Sequence, residues 1–131
     1  MTTLRLSRSD PSDRLPGEVW YCLHPEYTKE AKLFPVRMET KDGSGALACS
    51  AADYCRFLEH YSIRGNRRVN GGRYAGTFFG STPGCTSACS QRPDGIVYTV
   101  ICNRRSTGGS DWNKELKSLL DKALDPIAAD L

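Results

Sequence analysis

RYAGTFFGSTPGCTSACSQRPDGIVYTVICN, residues 73–103, is the stretch on which the fold turns. It contains three short runs suited to strands, Arg73 to Phe79, Thr86 to Gln91 and Gly95 to Asn103. Ser81-Thr82-Pro83-Gly84 and Arg92-Pro93-Asp94-Gly95 separate them. The second separator is a strong hairpin signal, because proline presets φ and Asp-Gly accepts the positive φ of a tight turn. Three runs joined by such short turns predict an antiparallel meander.

On the C-terminal side, Ser110-Asp111 is expected to cap a helix. Trp112, Leu116, Leu119, Leu120, Ala123 and Leu124 share one helical face, and Pro126 is expected to stop the helix. That face requires a partner, and the neighbouring sheet is the nearest one. On the N-terminal side, the Ser50 hydroxyl can accept a first-turn N–H and Asp53 suits the positive helix end, so a helix should start here. It should run to about Tyr61 with Ala51, Tyr54, Cys55, Leu58 and Tyr61 as its apolar stripe, before Gly65 and Asn66 begin an Arg-rich turn.

Further upstream, Val19-Trp20-Tyr21-Cys22 lies in a predicted strand, Glu18 to Leu23, bounded by Pro16-Gly17 and Pro25. Residues 24–45 read as irregular, although Phe34 to Met38 could hold a short strand. The expected organisation is an arm at 1–17, one domain at 18–125 and a tail at 126–131. The expected fold is α+β: an antiparallel β-meander with the C-terminal helix packed on one face and one further helix.

The composition, 39% hydrophobic and 25% charged over 131 residues, is that of one globular domain. The net charge of +3 is too weak to name a polyanionic partner. The longest apolar run, Ile96 to Cys102, is far short of the ~20 residues a membrane helix needs. Residues 1–13 lack the apolar stretch of a secretory signal, so a cytoplasmic, reducing compartment is expected, with no membrane partner. The six cysteines, Cys22, Cys49, Cys55, Cys85, Cys89 and Cys102, lack the paired short spacing of zinc sites and read as small buried hydrophobes.

Four groups of residues invite a chemical reading, and each has a plainer one. A Cys/His hydrolase needs a thiolate beside an imidazole, but His24 sits before Pro25 in a loop and His60 at a helix end, both suited to solvent. Cys85 and Cys89 fall on one side of a strand, where they would fill core space more readily than ligate a metal. Arg64, Arg67, Arg68 and Arg73, with Tyr61 and Tyr74, would suit phosphates and a stacked base. No nucleic-acid motif accompanies them, so a solvated turn is the expectation. Asn70-Gly71-Gly72 lacks the strand and helix of a phosphate cradle.

Four stretches, in order, resemble the C-terminal half of the serine β-lactamase and penicillin-binding-protein family, especially its class C-like, esterase-related members. They are residues 15–21, residues 45–58, Gly80-Ser81-Thr82-Pro83-Gly84-Cys85-Thr86, and Arg92 through Arg105 with the helix 111–124 behind it. The resemblance covers roughly residues 3–124 and implies the C-terminal part of the β-lactamase/transpeptidase fold. The family's chemistry uses a Ser-x-x-Lys pair, and no serine here has lysine three residues later. Its third motif, Lys or His, any residue, then Gly, falls on Phe78, Phe79 and Gly80, so the cationic side chain is missing. The oxyanion-hole N–H carries over to Ser81. Phe78 and Phe79 read equally well as sheet residues, one on each side.

The resemblance implies a noncatalytic, truncated or split β-lactamase-related module that binds a ligand or protein partner through the strand Phe78 to Ser81. The alternatives are half of a split serine hydrolase whose nucleophile another chain supplies, and a fragment of a longer gene. No catalytic residue, metal or cofactor is expected in this chain. The expected partners are a second copy, a separately encoded N-terminal half, or a small ester or peptide-like ligand, with nucleic acid disfavoured.

Overall fold

A computed structural model describes residues 3–13, 16, 40–41, 45, 47–68, 74–82, 85–103 and 111–130. The predicted strands at 18–23 and 34–38 lie outside the described residues, as do Ser110 and most of the expected boundary between arm and domain. The elements are β1 (Arg5–Leu6), a 3-10 turn at Pro11–Asp13, β2 (Leu47–Ala48), α1 (Ala51–His60), β3 (Gly76–Thr82), β4 (Cys85–Gln91), β5 (Val97–Cys102) and α2 (Asp111–Ala128). The fold is α+β: among the described residues there are two helices, a two-stranded antiparallel sheet β1-β2, and a three-stranded antiparallel sheet in the order β3-β4-β5.

The meander forms because its turns are encoded locally. Gly95 has φ +97. Its N–H donates to the Arg92 carbonyl at 3.0 Å, and the Arg92 N–H donates to the Ile96 carbonyl at 2.8 Å, closing the β4-β5 hairpin. Asp94 Oδ1 accepts from the Ile96 N–H at 3.1 Å, which fixes the turn from its own side chain. Register follows, with Gln91 opposite Val97 and Thr86 opposite Cys102, while Gly76 pairs with Gln91 across β3 and β4.

Strand residues alternate faces, and this alternation separates the two helices. Gln91 and Cys89 face α1: the Gln91 amide bonds the Leu58 and Tyr61 carbonyls. Ser90 shares its face with Tyr98, whose hydroxyl donates to Asp121 of α2 at 3.0 Å. The sheet is therefore sandwiched, with α1 on one face and α2 on the other. Among the described residues the buried apolar side chains are Leu58, Ala88, Cys89 and Tyr98. Thr86, Ser90, Gln91, Asp53, Ser62 and Asn113 are buried with them, so the interior is small and polar. Leu58 is fully enclosed, and truncating such a side chain to alanine costs about 3 kcal/mol.

α1 begins as its sequence requires: the Ser50 side chain accepts from the Asp53 N–H at 3.1 Å. Asp53 is fully buried because the N-terminal arm closes over it; both the Thr3 N–H (2.7 Å) and the Thr3 hydroxyl (2.6 Å) donate to Oδ2. β1 pairs with β2 beside this contact, Arg5 with Ala48 and Leu6 with Leu47. The arm thus carries a strand that its sequence did not announce. Two-residue strands whose partners lie some forty residues away leave no local pattern to read.

Two expectations for α2 are corrected. The helix does not stop before Pro126 but continues to Ala128. A proline forfeits one bond to the carbonyl four residues back, and here it falls in the last turn, where the Ala129 N–H still reaches the Asp125 carbonyl at 3.3 Å. The expected apolar face is also turned. Leu116, Leu120 and Leu124 are half-buried, whereas Leu119 is 57% exposed and Ala123 is exposed. Among the described side chains of the helix, Asn113 is the buried one. Polar bonds from Arg92 and Tyr98 to Asp121 hold the helix in this rotation.

Candidate interaction edge

The strand singled out by sequence, β3, lies at one side of the sheet, and among the described residues no strand pairs with its outer edge. Phe78 is 58% exposed on the α1 face opposite Cys89, and Phe79 is 36% exposed on the α2 face opposite Ala88. The two rings therefore stand on opposite sides, as alternation dictates. Gly80 is half-buried and Ser81 exposed, paired with Ser87 and Thr86. A Cβ at Gly80 would collide with the Ser87 hydroxyl, so glycine lets that side chain lie across the strand.

The inner side of β3 is firmly held. Thr77 and Ser90 share a hydroxyl hydrogen bond at 3.1 Å, and the Ser90 hydroxyl also reaches the Gly76 carbonyl at 3.4 Å. The Cys89 thiol donates to the Phe78 carbonyl at 3.5 Å. No residue of Gly76–Thr82 is charged. Most natural sheet edges carry lysine, proline or a bulge that discourages pairing; this one carries none of the three.

The other sequence candidates resolve into structural roles. Burial pushes the Cys89 thiol up, and it does the same at Cys85 and at Cys49, where Asp53 adds to it. These groups are thiols near neutral pH and poor nucleophiles. The Tyr54 hydroxyl is pushed up to about 12, by burial first and then by Cys89 beside it. His60 is exposed at the end of α1, and His24 lies outside the described residues. Among the described residues no group of three or more His, Cys, Asp or Glu side chains is arranged to hold a metal ion. Of the arginine group, Arg68 lies 5.9 Å from the Tyr74 ring centroid and Arg64 and Arg67 are exposed, while Arg73 lies outside the described residues. Tyr61 stacks on Phe57 at 4.8 Å.

A second polar site escaped the sequence reading. Arg92, 13% exposed, bonds Asp94 at 2.7 Å, Asp125 at 2.7 Å and the Asp121 carbonyl at 3.1 Å, and Lys117 also bonds Asp121. These residues, with Ala75 to Thr77, border an open cleft of about 470 Å³. Arg92 holds the Asp94 carboxyl below its ordinary value. Burial would raise Asp121, but the bonds from Lys117 and Tyr98 and the nearby Arg92 outweigh it and lower that carboxyl too. The opposite charges satisfy one another, so the group clasps α2 to the hairpin. Its only trace in the sequence was the i,i+4 spacing of Lys117, Asp121 and Asp125.

Among the described residues no helix is long and apolar enough to cross a membrane. Set against family models, curated proteins and solved structures, the chain matches none of them.

Proposed function

We propose that this chain is a noncatalytic binding module that takes an extended protein segment along the outer edge of β3. The observation that carries this reading is the uncharged edge Gly76–Thr82, unpaired among the described residues and bearing one exposed phenylalanine on each face. Strand addition gains main-chain hydrogen bonds from such an edge, while side chains flanking it supply selectivity. The resemblance to the second half of a β-lactamase offers a reason for a bare edge, since in a whole family member the other half covers it. The split-hydrolase alternative has no geometric observation in its favour. A cytoplasmic setting, where thiols such as those of Cys49, Cys85 and Cys89 stay reduced, is part of this reading.

Selection of displayed unstructured peptides on the whole chain tests this reading. Enriched peptides should shift the amide resonances of residues 76–82 and lose binding to Phe78→Lys. Enrichment of peptides that shift α2 or the Arg92 cleft instead would overturn it, as would no enrichment on a chain that sedimentation shows to be monomeric. Incubation with an activated ester or a β-lactam should leave the mass unchanged; a stoichiometric adduct on a serine would show that the chain is an acylating enzyme.

A further inference from the structure

The edge of β3 has a particular residue order that narrows the choice of partner. Gly76-Thr77-Phe78-Phe79-Gly80-Ser81-Thr82 is seven residues long, so its centre is Phe79. In a continuous antiparallel sheet related by a twofold axis, residues of one face meet residues of the same face. Full overlap of two such strands then places each residue opposite the one equidistant from Phe79.

On the α1 face this register sets Phe78 against Gly80 of the other copy and Thr82 against Gly76, each larger side chain over a glycine. The Phe78 ring, 58% exposed in the single chain, gains a neighbour with no side chain to obstruct it. An aromatic ring laid across a cross-strand glycine is a recognised way of stabilising a weak strand position. On the α2 face Thr77 meets Ser81, a hydroxyl pair, and Phe79 meets Phe79 across the axis. Hydroxyl and aromatic pairs are among the favourable cross-strand combinations. The strand contains no charge that would meet its own image and no proline that would remove a ladder bond. Shifting the axis to Phe78 or Gly80 shortens the overlap to five residues and breaks the ring-over-glycine match.

We infer that the partner of β3 is a second copy of this chain, joined antiparallel about Phe79 into a six-stranded sheet ordered β5-β4-β3-β3-β4-β5. The interface is isologous, the commonest way for identical chains to close on themselves. This inference rests on the reading of β3 as a pairing edge and adds the identity of the occupant.

The symmetric position of Phe79 supplies a test that an unrelated partner would fail. Phe79→Lys and Phe79→Glu each put like charges face to face across the axis, and each should weaken self-association at least about ten-fold in sedimentation. An equimolar mixture of the two variants should restore the dimer, because lysine then faces glutamate. Amide dispersion matching the wild type checks that each variant folds. A benzophenone side chain placed at position 78 should cross-link to residues 79–81 of an isotopically distinguished second copy. A wild-type chain that stays monomeric up to millimolar concentration, a mixture that fails to reassociate, or cross-links confined to α2 would overturn the inference. If the monomer nonetheless shows shifts at residues 76–82 with a displayed peptide, the binding reading survives and self-pairing alone falls. Without such shifts both fall.

Discussion

Gln91 sits at the point where three parts of the molecule meet, and its amide is used almost to capacity. The Nε2 group donates to the Leu58 carbonyl at 2.8 Å and the Tyr61 carbonyl at 2.7 Å, while Oε1 accepts from the Ile63 N–H at 2.9 Å. At 2% exposure these backbone groups have no ready substitute in water. Gln91→Leu keeps the volume and removes all three bonds, stranding a donor and two acceptors. The cost should be about 3 kcal/mol, since each buried unsatisfied group costs about 1–3 kcal/mol and some relaxation is available. Urea denaturation checks this; a loss below about 0.5 kcal/mol, the size of an ordinary surface change, would mean that the three groups find other partners. None of this was legible in the sequence, where a glutamine closing a strand looks like a solvent-facing end. The side chains of Phe78 and Phe79 were legible, because simple alternation places adjacent strand residues on opposite sides whatever the tertiary contacts.

Elements read well from sequence where their signals were local. The Pro93-Asp94-Gly95 turn and the Ser50 cap each depend on atoms within a few residues, and both are found where their chemistry requires. The rotation of α2 depends instead on Arg92, some thirty residues distant, whose bonds to Asp121 and Asp125 outweigh the preference of Leu119 and Ala123 for burial. That clasp gives the element a definite pH response. Asp94 and Asp121 are both held below the ordinary carboxylate value of 3.8. A lowered carboxyl contributes stability that is present above its unfolded value and lost as pH falls through its folded one. The urea midpoint should therefore decline below about pH 4, and Arg92→Met should flatten that decline. Tyr98 acts at the other end. Burial first and then Asp121 push it up to about 12, from an ordinary 10.0. Its contribution is present below pH 10 and drains away as pH rises toward 12, so Tyr98→Phe should reduce the alkaline loss. An unchanged acid limb in Arg92→Met would show that other carboxylates govern it.

Over the described residues the molecule is a three-stranded sheet with one helix on each side, and its buried side chains are mostly small, polar or sulfur-bearing. Cys89 lies near its centre, 4% exposed, with its thiol bonded to the Phe78 carbonyl. Buried and raised in pKa, it should resist thiol reagents until the sheet opens. Its labelling rate in native buffer should track global stability, slowing where stability rises and accelerating in Gln91→Leu. A rate equal to that of an exposed cysteine would mean that the sheet opens locally at β3. The class of the fold was readable at this scale, since a meander and two amphipathic helices admit few arrangements. The placement of the helices on opposite faces was not, because it is decided by Gln91 and Tyr98 reaching in opposite directions from adjacent strands.

The arm that covers Asp53 has a consequence in time. Thr3 and Asp53 are fifty residues apart in the chain, whereas the β4-β5 hairpin closes over a few. Loop closure grows costlier with length, and early folding favours near neighbours. The meander should consequently assemble while residues 3–6 are still searching, with the arm seating after the rate-limiting step. Thr3→Val, which removes the hydroxyl bonds to Asp53 and from the Ser50 N–H, should leave the refolding rate unchanged and accelerate unfolding by the whole of its equilibrium effect. Equal slowing of refolding would place the arm in the nucleus. On the first account the N-terminus is the last piece in and the first piece out.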